Sequence, residues 1–206
     1  MCRLLFETVR WTNGEPLALG WHQRRVEYSL LACGAAGAAP DLAAVLGTEP
    51  GPGGSGVYKC HMTYDTLGRI RSIDYAPYRP RMIRSLICVD AAGLDYSLKW
   101  EDRTELQALG GGLAPMDEAL ILRDGYVTDT RYGNVVFGHD GAWVTPETYL
   151  LPGTRRARLL AEGVIRAVPL TTADLPLFRY CSLINAMLAP GDVVVRTEDI
   201  VLPVRA

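Results

Sequence analysis

Three places in this 206-residue chain combine residue types and spacing that could do chemistry. Asp129 is an acid in a polar stretch, with Thr128, Thr130 and Tyr132 around it, between two apolar runs. Downstream, Leu151-Pro-Gly-Thr154 opens a basic, apolar-striped helix from about Thr154. A helix that starts after a glycine offers backbone N–H groups with no intrahelical acceptor, which makes a ready anion site. Upstream, Lys99 follows an extended run and precedes a helix. An acid near an anion site suits a ligand with one cationic end and one phosphate end.

The elements that must position these residues read as follows. Ala119–Leu122, Asn134–Phe137 and Ala142–Val144 are strand-like runs separated by the turn pairs Asp124-Gly125 and Asp140-Gly141, a spacing that predicts antiparallel hairpins. Nearer the start, Cys2–Arg10 reads as a strand, Asn13-Gly14 as a hairpin turn, Pro16–Leu19 as the return strand and Trp21 to about Gly34 as a helix. His22 and Arg25, three apart, share a face of that helix. Asp41–Leu46 suggests a short helix, and Gly47–Gly56 a flexible exposed loop. Strands are expected over Val57–Tyr64 and Gly68–Tyr75, then Ser85–Val89. After Lys99 come a helix, a turn at Gly110–Gly112, and then a helix over Thr154–Ala161 and a strand over Val164–Val168. A helix start at Thr172 with Pro176 just inside it, a strand over Arg179–Ile184, and apolar pieces at Val193–Val195 and Val201–Val204 complete the chain. There is too little β-α-β alternation for a Rossmann sheet, and Gly110-Gly-Gly is not a dinucleotide fingerprint.

Composition narrows the function classes. The net charge of −2 gives no global attraction to nucleic acid or to an anionic membrane. No apolar run approaches the ~18–20 residues of a membrane span. The cysteines (Cys2, Cys33, Cys60, Cys88, Cys181) form no CxxC pair and are odd in number, so they read as reduced thiols of a cytoplasmic protein. A chain of this size buries roughly 70% of its unfolded surface and needs no staples.

Several motifs stand in a definite order. They are Phe6-Glu-Thr-Val-Arg10, Asn13-Gly14-Glu15, His22-x-x-Arg25, Lys99-x-x-x-Arg103, Asp117-Glu-Ala-Leu, Asp129 five before Asn134, Thr145-Pro146, Leu151-x-Gly153-Thr154-x-Arg156 and Ile184-Asn185-Ala186-Met187. Together they resemble the class IV aminotransferase family, pyridoxal phosphate (PLP) enzymes of fold type IV that include D-amino acid and branched-chain aminotransferases and aminodeoxychorismate lyase. The resemblance covers most of the chain and is weakest across residues 33–90. It implies an α+β fold of two small domains with the site between them. Residues 1–92 would form a minimal N-terminal α/β domain carrying Arg25, and 93–206 a C-terminal pseudo-barrel carrying Lys99 and the PLP site.

The resemblance also implies roles. Lys99 would hold PLP as a Schiff base and, once displaced, serve as the base for the substrate's proton. The other lysine, Lys59, lies in a strand and lacks a downstream Arg. Arg25 would reach the phosphate, together with the N–H groups of Thr154 and Arg155 after Gly153 and with the Thr154 hydroxyl. Asp129, with Asn134 as its spacing partner, stands where the family usually has Glu and would pair with the pyridine nitrogen. Asn185 resembles the Asn that follows the last core strand in aminodeoxychorismate lyases. Each residue has a plainer alternative: Lys99 a helix-start surface lysine, Arg25 a surface arginine beside Arg24, Asp129 a turn-proximal strand acid, Asn185 a strand-end turn residue. His61 reads as structural, and Arg79, Arg81 and Arg84 as solvated or ion-paired, with a substrate carboxylate as the functional reading. The expected activity is conversion of 4-amino-4-deoxychorismate to 4-aminobenzoate and pyruvate, with an aminotransferase or a non-catalytic PLP-fold binding protein as alternatives. A homodimer acting on a small amine substrate is implied, and no metal site is assigned.

Overall fold

A computed structural model describes residues 3–48, 51–139 and 141–202. Cys2, the end of the Val201–Val204 piece, Asp140 of one turn pair, and residues 49 and 50 of the glycine-rich loop lie outside the described residues. The chain divides into two compact units, one running to Arg79 and including Leu98–Asp102, the other made of Pro80–Ser97 and the chain from Arg103.

In the first unit, β1 (Leu4–Thr12) turns at Asn13-Gly14 into β2 (Glu15–Pro16). Both turn residues have positive φ, 54° and 80°, the backbone that a two-residue hairpin needs. The return strand expected over Pro16–Leu19 is only this stub. The chain leaves it through Ala18 at φ 58° and enters helix α1 (Leu19–Ala32) at once. Helix α2 (Leu42–Thr48) follows, with Asp41 Oδ1 accepting from the N–H groups of Ala43 and Ala44. Strands β3 (Val57–Asp65) and β4 (Ile70–Pro77) complete an antiparallel sheet of order β2-β1-β3-β4. Part of the glycine-rich loop is docked rather than free: the Trp11 indole donates to Pro52 O (2.9 Å), and Gly51 lies so close to that ring that a Cβ would meet it at 2.2 Å.

Burial in β1 follows the two-residue period. Leu5, Glu7, Val9 and Trp11 are all buried, so Glu7 sits at a core position of the strand. Helix α1 buries His22, Arg25, Val26, Ser29 and Leu30, the i, i+3, i+4, i+7, i+8 stripe of a core-facing helix, and two members of that stripe are ionisable. Leu5, Val26, Leu30, Leu42, Met62, Tyr64 and Leu98 form the apolar cluster around them.

The second unit is mostly sheet. Strand β5 (Ser85–Asp90) and helix α3 (Thr104–Ala108) precede β6 (Asp117–Arg123), β7 (Tyr126–Thr130), β8 (Asn134–His139) and β9 (Ala142–Pro146). Helix α4 (Thr154–Ala161) has the bounds that the sequence predicts, and β10 (Ile165–Val168) returns parallel to β9. A 3-10 turn over Thr172–Leu177, then β11 (Tyr180–Ile184), β12 (Val194–Arg196) and β13 (Ile200–Val201) finish the described chain. The sheet order is β10-β9-β8-β7-β6-β5-β13, with β11 joining β8 and β12. The polar stretch around Asp129 is itself a strand, β7, buried from Val127 to Thr130. Its polar side chains find buried partners: the Thr128 hydroxyl donates to Ile121 O (2.8 Å) and the Thr130 hydroxyl to Gly133 O (2.9 Å). Among the described residues, no helix is long and apolar enough to cross a membrane.

Candidate active site

Of the sequence-assigned residues, Arg25 and Lys99 fall in the first unit. Lys99 lies on the short segment that runs beside the start of β1, where Phe6 N donates to Lys99 O (3.0 Å) and Glu101 N to Leu4 O (2.9 Å). This pairing places the Lys99 ammonium 4.3 Å from the centroid of the Phe6 ring. The ring attracts the cation and shields one side of it from water. Phe6 in turn packs on His61, at 5.0 Å between ring centroids, and His61 lies 3.3 Å from Glu101. His61 is therefore a neighbour of the Phe6 and Lys99 pair, a role that the sequence does not suggest.

Arg25 is not a surface arginine. It is 8% exposed and donates to both oxygens of fully buried Glu7, through Nε to Oε1 at 2.8 Å and through Nη2 to Oε2. His22 Nδ1 lies 2.6 Å from Glu7 Oε2, and since a carboxylate only accepts, Nδ1 carries the proton. Burial alone would raise the Glu7 carboxyl, but the charge of Arg25 and the hydrogen bonds from His22 and Arg25 win and hold it at about 2. Burial lowers His22, and the nearby charges of Arg25 and Lys99 lower it further against the pull of Glu7. At neutral pH the cluster is thus a neutral imidazole, a carboxylate and the Arg25 guanidinium. Glu7 stands in the Phe6-Glu-Thr-Val-Arg10 motif, which assigns it no role; its signal is an acid at the core parity of an otherwise apolar strand face.

The remaining residues belong to the second unit, and the strand registers bring them together. Asp129 and Asn134 are paired across β7 and β8. The Asp129 carboxylate is 4% exposed and accepts three hydrogen bonds, from Asn134 Nδ2 (2.7 Å) and from the N–H groups of Leu150 and Leu151 (3.0 Å each). Asn134 Nδ2 also reaches Leu151 O (3.1 Å). The two side chains thereby clamp the loop that leads into α4. Gly153 completes the clamp, because a Cβ there would stand 1.8 Å from Asn134 Oδ1. Thr154, 6% exposed, begins α4, whose N-cap Gly153 makes no side-chain capping hydrogen bond among the described residues. Burial raises the Asp129 carboxyl, and the three donors and Arg156 oppose that rise.

Arg155 and Asn185 are engaged in bracing. Arg155 donates through Nε to Asn185 O (3.2 Å) and through Nη2 to Ala186 O (3.1 Å). Asn185 Oδ1 accepts from the N–H groups of Met187 (2.8 Å) and Leu188 (3.1 Å), while its Nδ2 donates to Tyr132 O (3.0 Å). The Asn185 N–H itself donates to Leu188 O (3.2 Å). These bonds fold Ile184-Asn185-Ala186-Met187 into a turn tied both to α4 and to the loop before Asn134. The buried thiols are poor nucleophiles, since burial pushes Cys60 and Cys88 up to about 11 and Cys181 higher still.

A family model described as amino-transferase class IV matches residues 102–192. A protein of Haemophilus somnus 129PT, whose crystal structure carries the provisional name 4-amino-4-deoxychorismate lyase, is 34% identical; the match covers 90% of this chain and 96% of that one, with a TM-score of 0.79. The chain belongs to the class IV aminotransferase family. An uncharacterised Haemophilus influenzae protein is 32% identical over 185 residues, 89% of this chain and 97% of that protein. At 18% identity and a TM-score of 0.69, a hypothetical aminotransferase of Mycobacterium tuberculosis, solved in a PLP-bound form, shares the fold over 96% of this chain and 81% of that one. The class IV fold is thus mixed helix and sheet, as the motifs implied.

The residues present suit PLP. Lys99 supplies a half-buried primary amine beside an aromatic ring. The start of α4, preceded by Gly153 and with the buried Thr154 at its first position, suits a phosphate. Asp129 has about four lone-pair positions and uses three, so its carboxylate retains room for one further donor at Oδ1.

Proposed function

We propose that this class IV protein is a PLP-dependent lyase that converts 4-amino-4-deoxychorismate to 4-aminobenzoate and pyruvate, working as a homodimer. The observation that carries the reading is the Ile184-Asn185-Ala186-Met187 turn, whose asparagine holds the Tyr132 loop by its side chain. It is supported by 34% identity, over nearly the whole of both chains, to a protein provisionally given that lyase name. Lys99 and Arg25, Thr154 with the start of α4, and Asp129 with Asn134 are the residues that would hold the cofactor.

PLP, when bound, would draw electrons away from the substrate carbon that bears the amine. Lys99 Nζ would take the proton from that carbon. The Phe6 ring face beside Nζ excludes water from that side of the base. Glu7 fixes Arg25 by two hydrogen bonds, so a phosphate would meet a guanidinium that is already oriented. Loss of the enolpyruvyl group and a proton leaves an aromatic ring, and that aromatisation supplies the driving force. The protein then needs only to place the bond and supply the base.

The test is to incubate purified, PLP-loaded protein with aminodeoxychorismate and no keto acid. 4-Aminobenzoate and pyruvate are expected in equal amounts. Formation of the amine form of the cofactor from amino acids, with its recovery on adding a keto acid, would replace the lyase reading by an aminotransferase. A single sedimenting species at the monomer mass would remove the homodimer.

A further inference from the structure

The face of the first unit's sheet that turns away from α1 carries side chains that the roles above leave unused. With a two-residue period, Leu5, Glu7, Val9 and Trp11 face the core, so Phe6, Thr8 and Arg10 take the other face. The register sets Thr63, His61 and Lys59 of β3 opposite these three, and Asp74 of β4 opposite His61. On the far side of β1, the bridge between Leu5 and Trp100 puts Lys99 and Glu101, two apart, on that same face. All of these residues belong to the first unit.

The Phe6 ring is the centre of the group. The Lys99 ammonium stands 4.3 Å from its centroid, and the His61 ring centroid lies 5.0 Å from it. Glu101 reaches across β1, so that its Oε1 is 3.3 Å from His61 Nε2. Buried ion pairs elsewhere brace the chain: Glu7 holds Arg25 here, and in the second unit Glu118 accepts from Arg131 Nε at 2.7 Å. The His61 pair is of another kind. Its side chains are 25% and 40% exposed, and a pair so exposed adds at most about 1 kcal/mol to stability. With Nε2 turned to Glu101, Nδ1 is the ring atom left to hold or release a proton toward a ligand. The charged groups around it are two acids, Glu101 and Asp74, and three bases, Lys99, Lys59 and Arg10. His22, by contrast, is buried and bound to Glu7.

The elimination proposed above calls for an acid as well as a base. Lys99 Nζ takes the proton from the carbon that bears the amine. The bond from the neighbouring ring carbon to the enolpyruvyl oxygen then breaks, and its electron pair leaves on that oxygen. A proton delivered there lets the group depart as an enol, which rearranges to pyruvate in water. We propose that His61, oriented by Glu101, is this acid: Nδ1 gives its proton to the departing oxygen and regains one from water, while Lys99 returns its own to water. The inference rests on the lyase reading. The two substrate atoms are two bonds apart, so a base and an acid each about 3 Å from its atom stand up to roughly 8 Å from one another. Two groups that flank a single phenyl ring at the distances seen here suit that span.

The test compares PLP-loaded wild type, His61→Gln and Glu101→Gln across pH. In the wild type, 4-aminobenzoate formation should fall at high pH as the acid loses its proton. His61→Gln should lose about a hundredfold or more in kcat with KM little changed, and the high-pH fall should vanish with it. The same variant should still exchange the α-proton of alanine for deuterium, a step that needs only the base. Glu101→Gln keeps the acid but removes the negative charge beside it, so the high-pH fall should move to lower pH. In the cofactor-free protein, the His61 ring signals followed by NMR should titrate at lower pH in Glu101→Gln than in the wild type. His61→Gln turning over like the wild type overturns the proposal, and so does equal loss of the deuterium exchange, which would make His61 a support for Lys99. Should His61→Gln melt early, Glu101→Gln decides, and an unchanged pH profile with an unmoved NMR titration there overturns the acid. A wild type that forms no 4-aminobenzoate removes the lyase reading and this acid together, whereas an active wild type with an unaffected His61→Gln removes the acid alone.

Discussion

At Glu7, burial and ion pairing pull the carboxyl in opposite directions, and the pairing wins. The carboxyl therefore loses its proton more readily in the folded chain, at about 2, than in the unfolded one, near 4.5. Its stabilising contribution is fully present above pH 4.5 and is lost as the pH falls from there through about 2. His22 acts on the same side at higher pH: its value is lowered from 6.5, so the unfolded chain binds a proton that the fold resists, and stability falls as the pH drops below 6.5. Asp65, also lowered by its hydrogen bonds against the effect of burial, adds to the acid loss. Denaturant melts taken from pH 7 to pH 2 should show Glu7→Gln losing the slope below 4.5 and keeping that from Asp65. At pH 7 the same variant should be less stable by about 3–5 kcal/mol, because it leaves the Arg25 charge buried and unmatched. A variant that keeps the wild-type slope would remove Glu7 from this account.

The loop into α4 shows how one element depends on side chains distant in sequence. Asp129 accepts from Asn134, Leu150 and Leu151, and Asn134 fills the space that Gly153 leaves. Asp129→Asn would turn one acceptor oxygen into a donor amide facing donors. A loss of about 2 kcal/mol or more in the cofactor-free protein is expected, with thermal melting lower by roughly 4–8 °C. Asp129→Glu inserts a methylene into a filled space and should also cost about 1–3 kcal/mol. Gly153→Ala should lower the melting temperature as well, since its Cβ would displace the Asn134 amide. Wild-type melting in all of these would mean that the clamp is not structural. Much of this element was legible in the sequence. The bounds of α4 follow from Gly153-Thr154 and the apolar stripe behind it, and the β8 and β9 hairpin follows from its turn residues. Strand β7 was less legible because its residues are polar, and only the buried partners of Thr128, Asp129 and Thr130 make a strand of them. The return strand after Asn13-Gly14 was over-read, because a turn signal fixes where a chain reverses and not how long it stays paired. Glu7, Glu118 and Arg131 were missed as structural ions for a related reason: burial of a charge depends on which face another element covers, and that is a tertiary fact.

For the whole molecule, a ligand that binds only the folded chain stabilises all of it by mass action. If Lys99, Arg25, Asp129 and the start of α4 hold PLP, a hundredfold excess over its dissociation constant should add about 2.7 kcal/mol. In a chain of this length that is a rise in melting temperature of roughly 5–11 °C, growing with the logarithm of PLP concentration. Lys99→Ala separates the two modes of attachment. It removes the amine that reacts with the aldehyde and leaves the phosphate-binding groups untouched, so its rise should be smaller but not absent, and pyridoxal without its phosphate should give almost none. In the wild type, borohydride reduction after loading should fix the pyridoxyl group on Lys99 and make the rise independent of free PLP. A label found on Lys59 would move the anchor to β3, away from Phe6 and the Glu7 cluster. No concentration-dependent rise in the wild type, with unchanged melting of Lys99→Ala, would mean that the class IV fold persists here without its cofactor, and the Glu7, His22 and Arg25 cluster would then be an internal brace.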